Sequence, residues 1–339
     1  MISLPGQAVT VTAHTAASFA QDRRNRWIMI GLVAVVILSL GGLALATGWE
    51  ETWASVRRLS TVQILFLLAL SLVNYILRAL RWFLYCRTLR IPVSLLPAFR
   101  HYFGGFAMTV TPGRLGELVR MRWIHQETRF PYERAAPILV MDRAADLAAM
   151  AILLVLSFLL AANVASTSLL PVAAISLFVA ILFTRQSVAM AAITLFWRAV
   201  GRWPRLFAKL RTAARTLGPF SHPYVLAPAL LAGIIGWFAE GVALYYLLLW
   251  LGADIGLWPA VGIFVLAMIT GGATGAPGGL GGAEAAMVGL LTLQGVPLEV
   301  SVPATVIIRL TTLWFAIAIG VGVFPLATHI ANKGPQTKG

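Results

Sequence analysis

The sequence predicts an all-α polytopic membrane protein: about six transmembrane helices plus two re-entrant helical hairpins, arranged as an inverted-topology repeat. Three observations carry this reading. The 339 residues are 59% hydrophobic and 11% charged, and the apolar ones fall in blocks of about 20, each long enough to cross a bilayer. Lys and Arg gather at the ends of these blocks. Finally, the segment Thr111-Pro112-Gly113-Arg114-Leu115-Gly116-Glu117-Leu118 returns in outline as Ala276-Pro277-Gly278-Gly279-Leu280-Gly281-Gly282-Ala283-Glu284, so two halves carry matching breaks.

Apolar length and polar or Pro/Gly punctuation place spans at 27–47, 61–83, 135–162, 169–184, 226–251 and 302–327. Segments 95–125 and 259–293 are apolar but cut in the middle by Pro and Gly, and each reads as a hairpin of two half-helices. Residues 1–26 lack the apolar core of a secretory signal and read as a cytoplasmic tail. Residues 27–327 then form the membrane domain, with repeat halves at 27–162 and 169–327, and 328–339 form a second cytoplasmic tail.

Basic residues flanking spans mark the cytoplasmic side. Arg23, Arg24 and Arg26 put the N-terminus inside, and Arg78, Arg81, Arg87, Arg90 and Arg100 return the chain there after the second span. Arg120, Arg122, Arg129 and Arg134 keep the exit of the first hairpin on that face, and the basic run from Arg185 to Arg215 marks a long cytoplasmic loop. No Lys or Arg occurs from 252 to 301, which puts the second hairpin outside, and Lys333 and Lys338 bring the C-terminus in. Only Arg57 and Arg58 fall in an outer loop. Three spans plus one hairpin per half, an odd number of crossings, inverts the second half relative to the first. The pairs Pro112/Pro277, Gly113/Gly278, Leu115/Leu280 and Gly116/Gly281 all differ by 165 positions.

Several function classes drop out. The net charge of +14 does not signal nucleic acid, because no polar stretch is long enough to fold into a basic domain. Cys86 is the only cysteine, which excludes an intrachain disulfide and a cysteine metal cluster and leaves inert packing as its role. The five histidines have no metal-ligand spacing, and no Gly-Lys-Ser/Thr follows either break, so neither a metal nor a nucleotide cofactor is expected.

Irregular backbone at membrane depth is tolerated only where protein or a water-filled cavity satisfies its polar groups. The hairpin tips, Pro112, Gly113 and Gly116 in one and Pro277, Gly278 and Gly281 in the other, are therefore expected to line a cavity. Half-helices starting after Pro112 and Pro277 would aim their N-terminal amides at an anionic group there. Glycines that merely let helices pack closely are the alternative. Intramembrane charges are expensive and often mark a pathway. The candidates are Arg114 and Glu117 at the first tip, Asp142, Arg143 and Asp146 in the third span, Glu240 in the fifth, Glu284 past the second tip and Arg309 in the sixth. Asp142 and Asp146, four apart, share a helix face. Arg143 and Arg309 occupy similar places in the two halves, toward the inner and outer leaflets, and arginine suits a phosphate. Asp142, Asp146, Glu117 and Glu284 are the groups to carry protons if transport is proton-coupled. The alternative is that these charges tie the bundle together, for example Arg114 with Asp142 or Arg309 with Glu240. The stretch 187–217, with Phe196, Trp197, Trp203 and Phe207 among many arginines, reads either as an interfacial helix on anionic lipid or as an ordinary basic loop.

At these residues the chain resembles the transmembrane domain of the lysylphosphatidylglycerol synthase family, a flippase-like family. The resemblance rests on Arg78-Ala79-Leu80-Arg81-Trp82, Pro112-Gly113-Arg114-Leu115-Gly116-Glu117, Asp142-Arg143 with Asp146, and the break from Gly278 to Glu284 followed by Arg309, spread over 27–327. It implies movement between leaflets of a lipid such as an aminoacylated phospholipid or a polyprenyl-linked sugar, in a bacterial cytoplasmic membrane. An aminoacyl-transferase domain of the kind the full synthases carry is not expected here, nor is lysine transfer to lipid. The leading expectation is a non-enzymatic lipid flippase whose cargo is an anionic or polyprenyl-phosphate-linked lipid. Two other readings stand beside it: a membrane enzyme acting on lipid phosphates with Asp142 and Asp146 on a divalent metal, and a non-catalytic partner of a lipid or glycan biosynthetic enzyme. The small-residue faces permit a homodimer.

Overall fold

A helix of 28 residues reaches about 42 Å, more than the hydrocarbon of a bilayer at about 30 Å, and four stretches of this protein have at least that length together with the apolarity to match. The structure is a computed structural model and describes residues 49–109, 111, 115–161, 174–176, 178, 186–201, 207, 208, 211, 215 and 217–334. All regular structure among them is helical. In chain order the helices are α1 (Trp49–Arg58), α2 (Thr61–Thr88), α3 (Leu95–Gly105), α4 (Leu115–Thr128), α5 (Tyr132–Leu160), α6 (Gln186–Val200), α7 (Pro223–Trp250), α8 (Leu257–Ala273), α9 (Gly282–Leu293), α10 (Leu298–Arg309) and α11 (Phe315–Asn332). A π-turn over Leu310–Trp314 joins α10 to α11, making one 35-residue apolar stretch from Leu298 to Asn332.

The expected spans 61–83, 135–162, 226–251 and 302–327 each coincide with one of the four long stretches: α2, α5, α7 and α10–α11. The expected span 27–47 lies outside the described residues, as do the tail at 1–26 and most of 169–184. Helix α11 runs on to Asn332, into the stretch read as the C-terminal tail.

Local sequence sets where the helices begin. Ser60 caps α2 in a reciprocal box, accepting from the Gln63 amide at 3.3 Å while its own N–H donates to the Gln63 side chain at 2.8 Å, which satisfies two amides that the helix leaves open. Pro223 opens α7, where its missing N–H is harmless. Apolar side chains such as Val62, Leu65, Ile76, Leu231 and Ile235 stand exposed on α2 and α7, as a lipid-facing surface requires.

Between α2 and α5, and again between α7 and α10, lies a pair of shorter helices joined at a Pro/Gly break. α3 and α4 have 11 and 14 residues, α8 and α9 have 17 and 12, and none of these reaches the about 30 Å of the hydrocarbon core alone. At the first break a single 3-10 turn, Phe106–Met108, extends α3; Pro112, Gly113 and Arg114 lie outside the described residues. Arg100 and His101 of α3 reach Glu127 near the end of α4 at 2.6 and 3.1 Å. Burial opposes ionisation of Glu127, but the bonds from His101 and Arg100 outweigh it and hold the carboxyl below the usual carboxylate range.

At the second break a short 3-10 turn covers Pro277–Gly279, and Gly278 adopts φ 64°, a left-handed conformation that glycine accepts at little cost. With Gly279 and Gly281 also at positive φ, the chain cannot enter a helix directly after Pro277. Helix α9 therefore starts at Gly282 rather than where the proline suggested.

Two apolar clusters bracket a polar layer. Along α5 the first cluster ends at Met141 and the second begins at Met150; along α7 the same boundary falls between Ala229 and Ala243. The intramembrane charges of both helices sit in that interval. Helix α11 closes the bundle against α3 at Gly320, where a Cβ would lie 2.6 Å from the Phe106 carbonyl carbon and collide with the Ala107 amide as well.

Gly320→Ala should lower the melting temperature of the purified protein, because backbone rather than a flexible side chain must move, at about 1–3 kcal/mol. Gly322, whose Cβ would meet nothing within 4 Å, serves as the control: Gly322→Ala should be neutral or slightly stabilising, since alanine is the better helix former.

Candidate functional site

Arg78 and Arg81 lie three apart on α2, so their side chains leave from neighbouring positions of one face, and Asp142 and Asp146 lie four apart on α5. The two faces meet. The Arg81 guanidinium bonds Asp142 Oδ1 through Nε at 2.9 Å and through Nη2 at 2.6 Å, and the same Nη2 reaches Asp146 Oδ1 at 2.6 Å. Arg78 Nη2 takes the other Asp146 oxygen at 2.7 Å. Arg143, one residue past Asp142, bonds Asp142 Oδ2 at 3.1 Å and approaches Asp146 Oδ2 at 3.7 Å. Trp237 of α7 donates its indole N–H to Asp146 Oδ1 at 3.3 Å and lies under the Arg78 guanidinium at 5.4 Å. Every carboxylate oxygen of this pair therefore has a cationic partner, the arrangement that makes buried charge tolerable.

Burial separates the roles of these arginines. The Arg81 side chain is fully enclosed, whereas 37% of the Arg143 side chain is exposed. Arg81 is a structural tie, and Arg143 is the partly exposed member of the cluster. A further arginine, Arg120 of α4, lies 4.0 Å from the Tyr102 ring centroid and within 5.6 Å of Trp82 and Phe106, a cation seated on aromatic faces.

A second pole forms at the end of α10. Arg309 Nε bonds Glu284 at 2.6 Å, Nη2 donates to the Gly278 carbonyl at 2.8 Å, and Nη1 lies 3.6 Å from the Met268 sulfur. One side chain thus fastens the second break, the first turn of α9 and the end of α8 to α10. The pairing of Arg309 with Glu240 that the sequence suggested is not made; Glu284 takes that place. The Gly278 carbonyl points its lone pairs at Arg309 because the left-handed turn rotates it out of any helical ladder.

Both poles face one cavity of about 490 Å³. Arg78, Arg120, Arg143 and Arg309 line it, together with the acidic residues Asp146 and Glu240, and Tyr75, Phe106, Trp237 and Met268 among the apolar and aromatic walls. Arg143 and Arg309, expected toward opposite leaflets, share this space. Gly278 and Gly279 of the second break contribute to its wall. Asp142 and Glu284 stand behind it, each bonded to an arginine that lines it. Arg114 and the Glu117 side chain lie outside the described residues, Gly116 belongs to the first turn of α4, and Gly281 precedes α9.

The sequence reading missed Arg78, Arg81 and Arg120 as site residues and counted them as charges flanking spans. The structure places all three inside. The available signal was the three-residue spacing of Arg78 and Arg81, matched to the four-residue spacing of the aspartates on the next long helix. Outside the cavity, Phe196 and Trp197 of α6 pack against Phe207, and Cys86 is fully buried. Among the described residues no three His, Cys, Asp or Glu side chains gather in a way that could hold a metal ion.

Long apolar helices around an arginine-rich cavity define a multi-pass membrane protein. The chain matches the family model described as the lysylphosphatidylglycerol synthase TM region over residues 28–320, and it belongs to that family. It is similar to a UPF0104 membrane protein of Methanothermobacter thermautotrophicus, with 27% identity over 320 residues covering 87% of this chain and 94% of the relative. A UPF0104 membrane protein of Pyrococcus horikoshii is 24% identical over 319 residues, covering 86% and 94%.

Arg81→Ala should cost about 3–5 kcal/mol of stability, because it leaves two buried carboxylates short of their central partner. Arg143→Ala should shift the melting temperature far less, since Asp142 and Asp146 keep Arg81 and its head is partly solvated. Equal shifts in a thermal melt of the two variants would contradict this division.

Proposed function

We infer that the protein is a lipid flippase, moving an anionic lipid, phospho- or polyprenyl-phosphate-linked, between membrane leaflets. The observation that carries this is the cavity itself, half-open, with four arginines against two carboxylates on its wall, among helices that carry exposed apolar side chains. A phosphate entering there meets guanidinium groups whose planar donors match its oxygens, while acyl or prenyl chains stay in the bilayer. Arg143 is the first contact, because its side chain is more exposed than those of Arg78 and Arg309, and Arg309 is the second. The order of a long apolar helix, a broken pair and another long helix occurs twice in the described residues. Two such units in inverted topology would let the broken pairs gate the cavity from either side in turn. The family's description, a membrane region of a lipid synthase, accords with a lipid cargo.

The enzyme reading is less well supported, on a specific observation. The four oxygens of Asp142 and Asp146, which a magnesium ion would need, are engaged by Arg78, Arg81 and Arg143, and a metal would have to displace them.

The test uses purified protein in phosphatidylcholine liposomes carrying acyl-labelled phosphatidylglycerol, with the fraction of label accessible from outside followed over time. The native protein should exchange label between leaflets, and Arg143→Ala, folded by its melting curve, should be about tenfold slower, the loss of one charge-assisted contact of about 1.4 kcal/mol. Exchange at the native rate in that variant would remove Arg143 from the phosphate site.

A further inference from the structure

Of the intramembrane carboxyl groups described here, Glu240 differs from the rest. Asp142, Asp146 and Glu284 each bond an arginine within 3.1 Å. Glu240, in the middle of α7, is only 4% exposed, lines the cavity, and has no arginine or lysine among the described residues within ion-pair distance. The charged and titratable groups facing it from the packed helices are Tyr75 and Arg78 of α2, Asp146 of α5 and Arg309 of α10. Helix α8 and the 3-10 turn Gly218–Ser221 contribute none. Arg78 is committed to Asp146 at 2.7 Å and Arg309 to Glu284 at 2.6 Å. The Tyr75 hydroxyl donates to the Thr312 carbonyl. The neutral Asn74 carboxamide, on α2, is the polar side chain left beside Glu240.

We propose that Glu240 is a proton-binding site that couples lipid movement to the proton gradient, one proton accompanying each anionic headgroup through the cavity. This deepens the flippase reading and rests on it. A carboxylate in a low-dielectric space with no cation in contact is costly, and a second negative charge beside it makes it costlier. Entry of a phosphate onto Arg143 and Arg309 puts that second charge in the same cavity. Binding of a proton to one Glu240 oxygen removes the repulsion, so headgroup and proton occupy the cavity together and leave together on the far side. No bond in the lipid forms or breaks; the carboxyl gains one proton from the aqueous phase on one side and returns it on the other. Asp142, Asp146 and Glu284, candidates on sequence alone, are each bonded to arginine and keep the cationic poles in place.

The experiment uses the same liposomes, with label read at steady state instead of as an initial rate, first at equal pH and then with the outside one pH unit more acidic. Coupling of one proton per lipid shifts the leaflet ratio about tenfold per pH unit. A pH-sensitive dye trapped inside should report acidification only when phosphatidylglycerol is present. Glu240→Gln should keep exchange but lose the shift, and Glu240→Asp should restore part of it. A leaflet ratio that ignores the pH gradient in the native protein, while label still exchanges, overturns the coupling and leaves the flippase reading standing. Retention of the full shift in folded Glu240→Gln also overturns it. Failure of the folded native protein to exchange any label overturns both.

Discussion

The contact on which the rest of the site depends is the Arg81 guanidinium held between Asp142 and Asp146. Both carboxylates come from consecutive turns of α5, so a single arginine on α2 fixes the rotation and the height of the two helices against each other. That registration decides what the neighbouring residues can do. Arg78 is left to the outer oxygen of Asp146 and to the face of Trp237, and Arg143 keeps a partly exposed side chain. If Arg81 were apolar, two adjacent carboxylates would be buried against each other with only peripheral cations, and the polar layer between the two apolar clusters would have no anchor.

The second pole is built differently. Arg309 does not join two long helices through a carboxylate pair; it pins a helix break, bonding a carbonyl freed by left-handed glycine and the acid of the following helix. The π-turn begins at the next residue, and its Thr312 carbonyl accepts from Tyr75 of α2. One extra residue per turn there rotates α11 relative to α10, so the same short segment sets the arginine, the hairpin and the packing of α11 over α3. A pole on α2 and α5 thus faces a pole that belongs to a break, and one apolar cluster runs beneath both, from Leu67 and Met150 to Met287 and Ile308.

What the sequence disclosed follows from which physical signals are local. Apolar length is local, so the helices at α2, α5, α7 and α10–α11 were legible within a few residues. A charge in the middle of an apolar run is local too, and Asp142, Arg143, Asp146, Glu240, Glu284 and Arg309 stood out on that ground. Arg78 and Arg81 did not, because two arginines near the end of an apolar helix look the same whether they face headgroups or a buried partner. Only the facing helix decides between these. The choice of Glu284 over Glu240 by Arg309 likewise depends on where the second break folds back, and that turn is governed by three glycines at positive φ whose combined effect has no one-dimensional signature. Of the carboxylates read as proton carriers, Asp142, Asp146 and Glu284 are each bonded to an arginine, whereas Glu240, offered as one partner for Arg309, lines the cavity with no lysine or arginine of the described residues in ion-pair distance.

The central claim is that an anionic lipid headgroup enters the cavity between the two poles. Photocrosslinking with a phosphatidylglycerol analogue bearing its reactive group on the headgroup, followed by peptide mapping, tests it most directly. Adducts on the cavity-lining segments around Tyr75, Trp237 and Met268, competed by unlabelled phosphatidylglycerol and lost in Arg143→Ala, are what this account predicts. Adducts confined to the exposed outer positions such as Leu65 and Leu231, with the cavity unlabelled, would contradict it.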